Sequence, residues 1–236
     1  MLKLATFSIT ARCFRTGMLG VAVSTAVPCV GSLVPHVRAG VGAVATQSWV
    51  NPYIGIWGLE LLAEGLTAAA VVESLEKRDP QPHLRQFAVV SAKGDAAAYT
   101  GSANDTWCGH KVHQDFVVAG NMLAGSQVLD AMEDAYKNAS GKELVERLLQ
   151  ALEAGQAAGG DKRGKVSAAL YVAASEDYPL WDLRVDVHED PVAELGRVYR
   201  VAREDLLPFV KSLPTRENPK GQFDLSDMRE KGLLQD

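Results

Sequence analysis

The sequence predicts an α+β domain in which two antiparallel sheets pack face to face with helices outside. Three observations point there. Short alternating segments come in runs, helical segments come in pairs between those runs, and nowhere do single strands and helices alternate in the βαβ manner. The order along the chain is strands, two helices, strands, two helices, strands and a last helix.

Residues 4–11 alternate apolar and polar and read as the first strand. LGVAVS, residues 19–24, reads as its antiparallel partner, and Gly17 in the intervening RCFRTGM suits a short hairpin loop. GVGAVATQ, residues 40–47, is a third strand whose small residues let another layer approach the backbone closely. After Pro52, Ile56, Leu59, Leu62 and Ala63 fall on one helical face; Thr67 then caps a second helix with Val71, Val72 and Leu75 as its stripe. RQFAVVSA, a KGD turn and AAAYTGS make a β-hairpin, and residues 115–122 (DFVVAGNM) a further strand.

Two more helices follow. The first turns Val128, Leu129, Met132 and Tyr136 inward. The second opens on Ser140 and Glu143 as a capping box and buries Leu144, Leu148, Leu149 and Leu152. KVSAALYVAA and WDLRVDVH close the sheets. A last helix spans roughly residues 191–213, with Val192, Leu195, Tyr199, Ala202 and Leu206 on its apolar side and Pro208 as a kink. No linker or repeat divides the chain, so a single domain over residues 1–213 is expected, followed by a polar tail, 214–236.

Composition narrows the function. A net charge of -5 argues against a nucleic-acid partner. No stretch approaches the ~20 apolar residues of a membrane helix, and the first eleven residues lack the apolar run of a signal peptide. Cys13, Cys29 and Cys108 are odd in number and scattered, which suits a reducing compartment, so the expected location is the cytoplasm. The aromatics of NPYIGIWG suggest a symmetric dimer.

GVGAVA and GGDKRGK lack the spacing of phosphate-binding loops, so no nucleotide cofactor is expected. Cys108, His110 and His113 form a compact Cys-x-His-x-x-His cluster, but no second ligand pair accompanies them, and the segment reads as a polar surface loop rather than a metal site. Four hydroxyls, those of Thr6, Ser24, Thr46 and Ser167, lie on or at the ends of strands. None has a local histidine–acid partner, and no G-x-S-x-G elbow occurs. A threonine whose base is its own α-amine needs no such partner. Asp161 and Arg163 in GGDKRGKVS precede a buried strand and suit recognition of a substrate amine and carboxylate; a local ion pair in a solvated loop is the equal alternative. Asn121, after Gly120 at a strand end, can aim its amide at a developing oxyanion or serve as a turn residue.

TFSI, GVAVS, VPHVRAGVGAVATQ, RQFAVVSAKG, WCGH, VAGNMLAG, GGDKRGKVSAALYV, DLRVDVHEDPVAEL and LPTRENP occur in unbroken order from Thr6 to Pro219. Together they resemble the bacterial domain-of-unknown-function family 1028, placed among the Ntn (N-terminal-nucleophile) hydrolases. The resemblance implies an αββα four-layer sandwich and hydrolysis of a C–N amide bond without a cofactor. It implies Thr6 as nucleophile, Asn121 as oxyanion donor and Ser24 as a group orienting the amine. Thr46 and Gln47 would line the same cleft, with Ser167, Asp161 and Arg163 on the substrate side. The expected substrate is a small polar amide carrying a carboxylate. An amide nitrogen is not a base, so this chemistry needs residues 1–5 removed; with them in place, Thr46 or Ser24 would have to act with another base. The alternative is a non-catalytic module that binds a small ligand on the same fold.

Overall fold

In the computed structural model, which describes residues 6–222, Thr6–Arg12 (β1) and Leu19–Thr25 (β2) form the expected antiparallel hairpin. β1 lies at the centre of a six-stranded antiparallel sheet. Its other neighbour is Phe116–Asn121 (β8), and the order across the sheet is β10 (Trp181–Val185), β9 (Ser167–Ala173), β2, β1, β8, β7 (Gly109–His113). A second antiparallel sheet runs β3 (Pro35–Arg38), β4 (Gly42–Ser48), β5 (Arg85–Ser91), β6 (Ala96–Thr100).

The two sheets face each other through small aliphatic side chains. Leu19, Val21 and Val23 of β2 meet Ala43 and Ala45 of β4, and Val117 of β8 meets Ala88 and Val90 of β5. Each sheet carries a helical pair on its outer face. α1 (Pro52–Ala63) and α2 (Ala68–Arg78) cover the four-stranded sheet through Ile54, Leu62, Val71 and Leu75 against Val44, Phe87 and Val89. α3 (Gln127–Asn138) and α4 (Leu144–Ala157) cover the six-stranded one. This arrangement is that of a helix-flanked sandwich. Among the described residues no helix is long and apolar enough to cross a membrane.

Several expected details are replaced. The buried face of α1 is Ile54, Gly55, Gly58 and Leu62, whereas Ile56 is 43% exposed and Ala63 points to solvent. Backbone proximity decides this: a Cβ at Gly55 would lie 2.2 Å from the His36 ring and one at Gly58 3.1 Å from Val44, so the glycines must face the sheet. α4 starts one turn later than Ser140 suggests. Glu143 is its N-cap, its backbone N–H donating 3.4 Å to Glu146 in a capping box. Arg147 of α4 is buried, its guanidinium 3.8 Å over the Tyr136 ring and hydrogen-bonded to the Tyr136 carbonyl. β3 and β7 are additional strands. Both lie at sheet edges, where Pro35 and the exposed His110 and Val112 obscure any inward pattern.

Residues up to Gly196 form one compact unit, and those from Arg197 another. The first holds both sheets, α1–α4 and the start of α5 (Pro191–Asp205), where Val192 and Leu195 are buried. In the second, α5 ends and α6 (Leu207–Ser212) begins at a break on Leu206, which is 44% exposed rather than on an apolar face. Pro208 therefore sits in the first turn of a new helix, where its missing N–H costs nothing. Thr215–Gln222 fold back through Thr215 N–H to the Asn218 carbonyl and Gln222 N–H to the Ser212 carbonyl. The rest of the expected tail, like residues 1–5, lies outside the described residues.

Candidate functional site

Cross-strand register assembles a polar row at one end of the six-stranded sheet. Thr6 pairs with Thr25 on one side and Asn121 on the other, and Thr25 pairs with Ser167. Directly opposed residues share a sheet face, so Ser167, Thr25, Thr6 and Asn121 all point the same way. That way is inward, since Val23 and Val21, two and four residues from Thr25, pack between the sheets. All four are almost completely buried. The Thr6 hydroxyl donates to Thr25 Oγ1 at 3.3 Å.

Facing this row from the other sheet is a pair of glutamines, Gln47 on β4 and Gln86 on β5, directly opposed in register and both buried. Gln86 is the hub. Its Nε2 lies 2.9 Å from Thr100 Oγ1 and 3.0 and 2.8 Å from the carbonyls of Gly109 and Gly120, three acceptors that share its two N–H groups. Carbonyls only accept, so this end of the amide has to be nitrogen. Oε1 then accepts from Gln47 Nε2 at 2.8 Å and Asn121 Nδ2 at 3.0 Å. The orientation of both neighbours follows. Gln47 Oε1 and Asn121 Oδ1 are left as buried acceptors without a partner among the described residues, as are the hydroxyls of Ser8 and Thr10 farther along the inner face of β1.

The loop before β9 braces the end of the row. Asp161, buried, bridges Leu123 in antiparallel fashion, and its carboxylate accepts the Ala26 N–H at 3.1 Å and the Arg163 N–H at 2.8 Å. Arg163 Nη2 completes an ion pair with it at 3.0 Å, with the guanidinium 30% exposed. Ala26 directly follows Thr25, and Leu123 lies two residues after Asn121, so the pair ties both flanks of Thr6 together. Gly159 and Gly160, at φ 116° and 51°, give the loop the left-handed backbone that reaches Asp161.

Ser167 holds a second wall. It accepts the Val30 N–H at 3.2 Å and donates to the Val27 carbonyl, which pins the turn after β2. Between that turn and Thr6 lies a narrow pocket lined by Thr6, Thr25, Val27, Pro28, Val30, Leu33, Val34 and Val50.

Two of the hydroxyls expected in the cleft are elsewhere. Ser24 alternates with Thr25 and so projects to the helical side of the sheet, where it donates to the Ser167 carbonyl at 3.3 Å. Thr46 alternates with Gln47 and faces α1; its hydroxyl donates to the Asn51 carbonyl at 3.2 Å. The structure thus turns Thr6, Asn121, Gln47 and Ser167 toward the layer between the sheets and Ser24 and Thr46 away from it. Thr25 and Gln86 complete the group without having been singled out from sequence. The signal for Gln86 is a polar residue at an inward position of the apolar run RQFAVVS.

Cys108, His110 and His113 do not converge. His110 and His113 are three apart on β7 and therefore face opposite sides. His110 Nδ1 lies 2.8 Å from Thr100 Oγ1, His113 Nε2 3.1 Å from Glu133, and the Cys108 thiol 3.7 Å from the Asn104 carbonyl. Burial pushes the Cys108 thiol up from its ordinary value. Among the described residues no group of three or more His, Cys, Asp or Glu could hold a metal ion.

No curated protein matches the chain. Among solved structures, the crystal structure of protein SPO2555 from Silicibacter pomeroyi, described by the family model DUF1028, is 31% identical. The match covers 93% of this chain and 100% of that one, with a TM-score of 0.86. The family model itself matches from the first residue of β1, and over residues 6–195 the chain belongs to the family of unknown function DUF1028.

Proposed function

We propose that the protein is an amidohydrolase of the N-terminal-nucleophile kind, cleaving a C–N amide bond in a small polar substrate with Thr6 as nucleophile. The observation that carries this reading is the position of Thr6. It opens the central strand, faces the space between the sheets, and stands between Thr25 and Asn121 beside a pocket. The family match also begins at this residue.

The chemistry needs a free α-amine on Thr6, hence hydrolysis of the Ala5–Thr6 bond. The amine then takes the hydroxyl proton as Oγ1 attacks the substrate carbonyl carbon. Collapse of the tetrahedral intermediate breaks the C–N bond, and the leaving amine takes that proton. Water, deprotonated by the same amine, hydrolyses the acyl ester, releases the acid and restores Thr6. Asn121 spends one amide N–H on Gln86. Its second N–H suits an oxyanion, and Oδ1 suits an α-ammonium. Arg163, held by Asp161 and partly exposed, suits a carboxylate on the substrate.

The test pairs intact-mass measurement of the purified protein with a panel of small amides. The expected result is a chain beginning at Thr6 that turns over an amide, with activity lost in Thr6→Ala. Full turnover by Thr6→Ala, or by a chain still carrying residues 1–5, refutes the assignment. One observation favours a second reading, a non-catalytic ligand-binding module: the sequence places five residues ahead of Thr6, and while they remain its nitrogen is an amide. Stoichiometric ligand binding by a chain retaining those residues, without turnover, would support that reading.

A further inference from the structure

On the Thr25 side of Thr6 lies the narrow pocket described above. Among the described residues its lining, apart from the two threonines, is aliphatic and carries no charge: Val27, Pro28, Val30, Leu33, Val34 and Val50. Its volume is about 20 Å³, where one water-sized group needs roughly 10–15 Å³. The walls are set by backbone ties. The Ser167 hydroxyl holds the Val27 carbonyl and the Val30 N–H, the Thr46 N–H donates 3.2 Å to the Val34 carbonyl, and the Cys29 N–H donates 3.0 Å to the Asp186 carbonyl. A pocket anchored at both ends of its turn does not widen readily for a larger group.

We infer that this pocket takes a short, unbranched aliphatic acyl group, acetyl or propionyl, with about one to two carbons beyond the carbonyl, and that the substrate's polar and charged groups sit on the leaving amine. The inference rests on the proposed amidohydrolase reading of the same site. Hydrophobic pockets of this kind discriminate by exclusion: a phenyl ring cannot enter, and a carboxylate on the acyl chain would lose its hydration with nothing to replace it. The substrate class is therefore a short-chain N-acyl amine whose amine portion bears the carboxylate, such as an N-acyl amino acid.

The experiment uses the full chain with N-propionylglycine, N-phenylacetylglycine and N-glutarylglycine as probes. Saturation-transfer NMR reads contact of each acyl group with the protein, and glycine release reads turnover. The expected result is transfer to the propionyl methyl at least tenfold stronger than to the phenyl ring, and a matching preference in turnover. Val27→Phe and Val50→Phe fill the pocket from two half-buried positions. Both should abolish transfer to the propionyl methyl while leaving the circular dichroism melt within a few degrees of the parent. Wild-type competition between propionamide and phenylacetamide gives the same answer without any variant. Selective propionyl contact with no turnover of any probe upholds the pocket and refutes the amidohydrolase reading. Turnover with phenylacetyl or glutaryl favoured upholds that reading and overturns the pocket assignment, and an absence of propionyl contact overturns it as well.

Discussion

Replacing Gln86 tests the hydrogen-bond assignment on which the candidate site depends. In Gln86→Leu the shape is nearly kept, but Gln47 Nε2 and Asn121 Nδ2 lose their shared acceptor, and Thr100 Oγ1 and the carbonyls of Gly109 and Gly120 lose a donor. Each buried donor left unsatisfied costs roughly 1–3 kcal/mol. Two such donors, partly offset by the more apolar side chain, give a destabilisation of about 3 kcal/mol. For a chain of this size that is a fall in Tm of roughly 6–12 °C. Gln86→Glu makes the sharper comparison, because it puts an oxygen against those carbonyl oxygens. The variant carboxyl, buried beside acceptors, should titrate above its unfolded value of about 4.3. Its destabilisation should therefore be smallest in mild acid, where the proton lets it donate, and grow as pH rises. Urea denaturation at pH 5 and pH 8 measures both effects. If both variants stay within about 0.5 kcal/mol of the parent, as surface changes do, the hub does not exist as described.

Other expectations follow from separate regions. Glu133, ringed by Lys111, Lys137 and His113, has its pKa held from the ordinary 4.5 down to about 2, chiefly by hydrogen bonds from the two lysines. A depressed carboxylate stabilises the fold above about pH 4.5 and loses that contribution as pH falls through about 2. Because the lysines are substantially exposed, Glu133→Gln should cost only about 1 kcal/mol at pH 7, with a flatter acid limb in a pH–stability series. Gly42→Ala places a Cβ 2.4 Å from Leu62 Cδ1 and 2.8 Å from the Val90 carbonyl oxygen. It should destabilise by roughly 1–3 kcal/mol in urea, and a neutral effect would mean the layers are less closely spaced. Asp161→Asn keeps the shape but removes the ion pair with Arg163 and weakens the tie to Ala26. A loss of roughly 1–3 kcal/mol is expected, with Arg163→Ala costing less because its guanidinium is partly exposed.

Periodicity was most informative wherever one face of an element is buried and the other is not. The α3 stripe of Val128, Leu129, Met132 and Tyr136 is buried as its spacing predicts, and Thr67 caps α2 by accepting the Ala70 N–H. It failed in part on α1, where Gly55 and Gly58 join Ile54 and Leu62 against the sheet while Ile56 and Ala63 turn away; a hydropathy pattern counts side chains and cannot register that bare backbone packs closer. It also failed at the edges. β3 begins with a proline and β7 reads GHKVH, so neither shows an inward stripe. In the site, strand alternation alone separates Ser24 from Thr25 and Thr46 from Gln47, once the face of one neighbour is known. What alternation lacks is the origin: which face of each strand meets the other sheet.

The sequence by itself determined the layered α+β class, the central hairpin, the helical pairs and the family, because these rest on local spacing and on motifs in unbroken order. Tertiary structure alone decided that Thr6, Thr25, Asn121 and Ser167 form one row and that Gln86 fixes the amides opposite it. Those relations join residues up to 161 positions apart, between Thr6 and Ser167. They depend on strand register, and a shift of one residue would turn every one of these side chains to the opposite face.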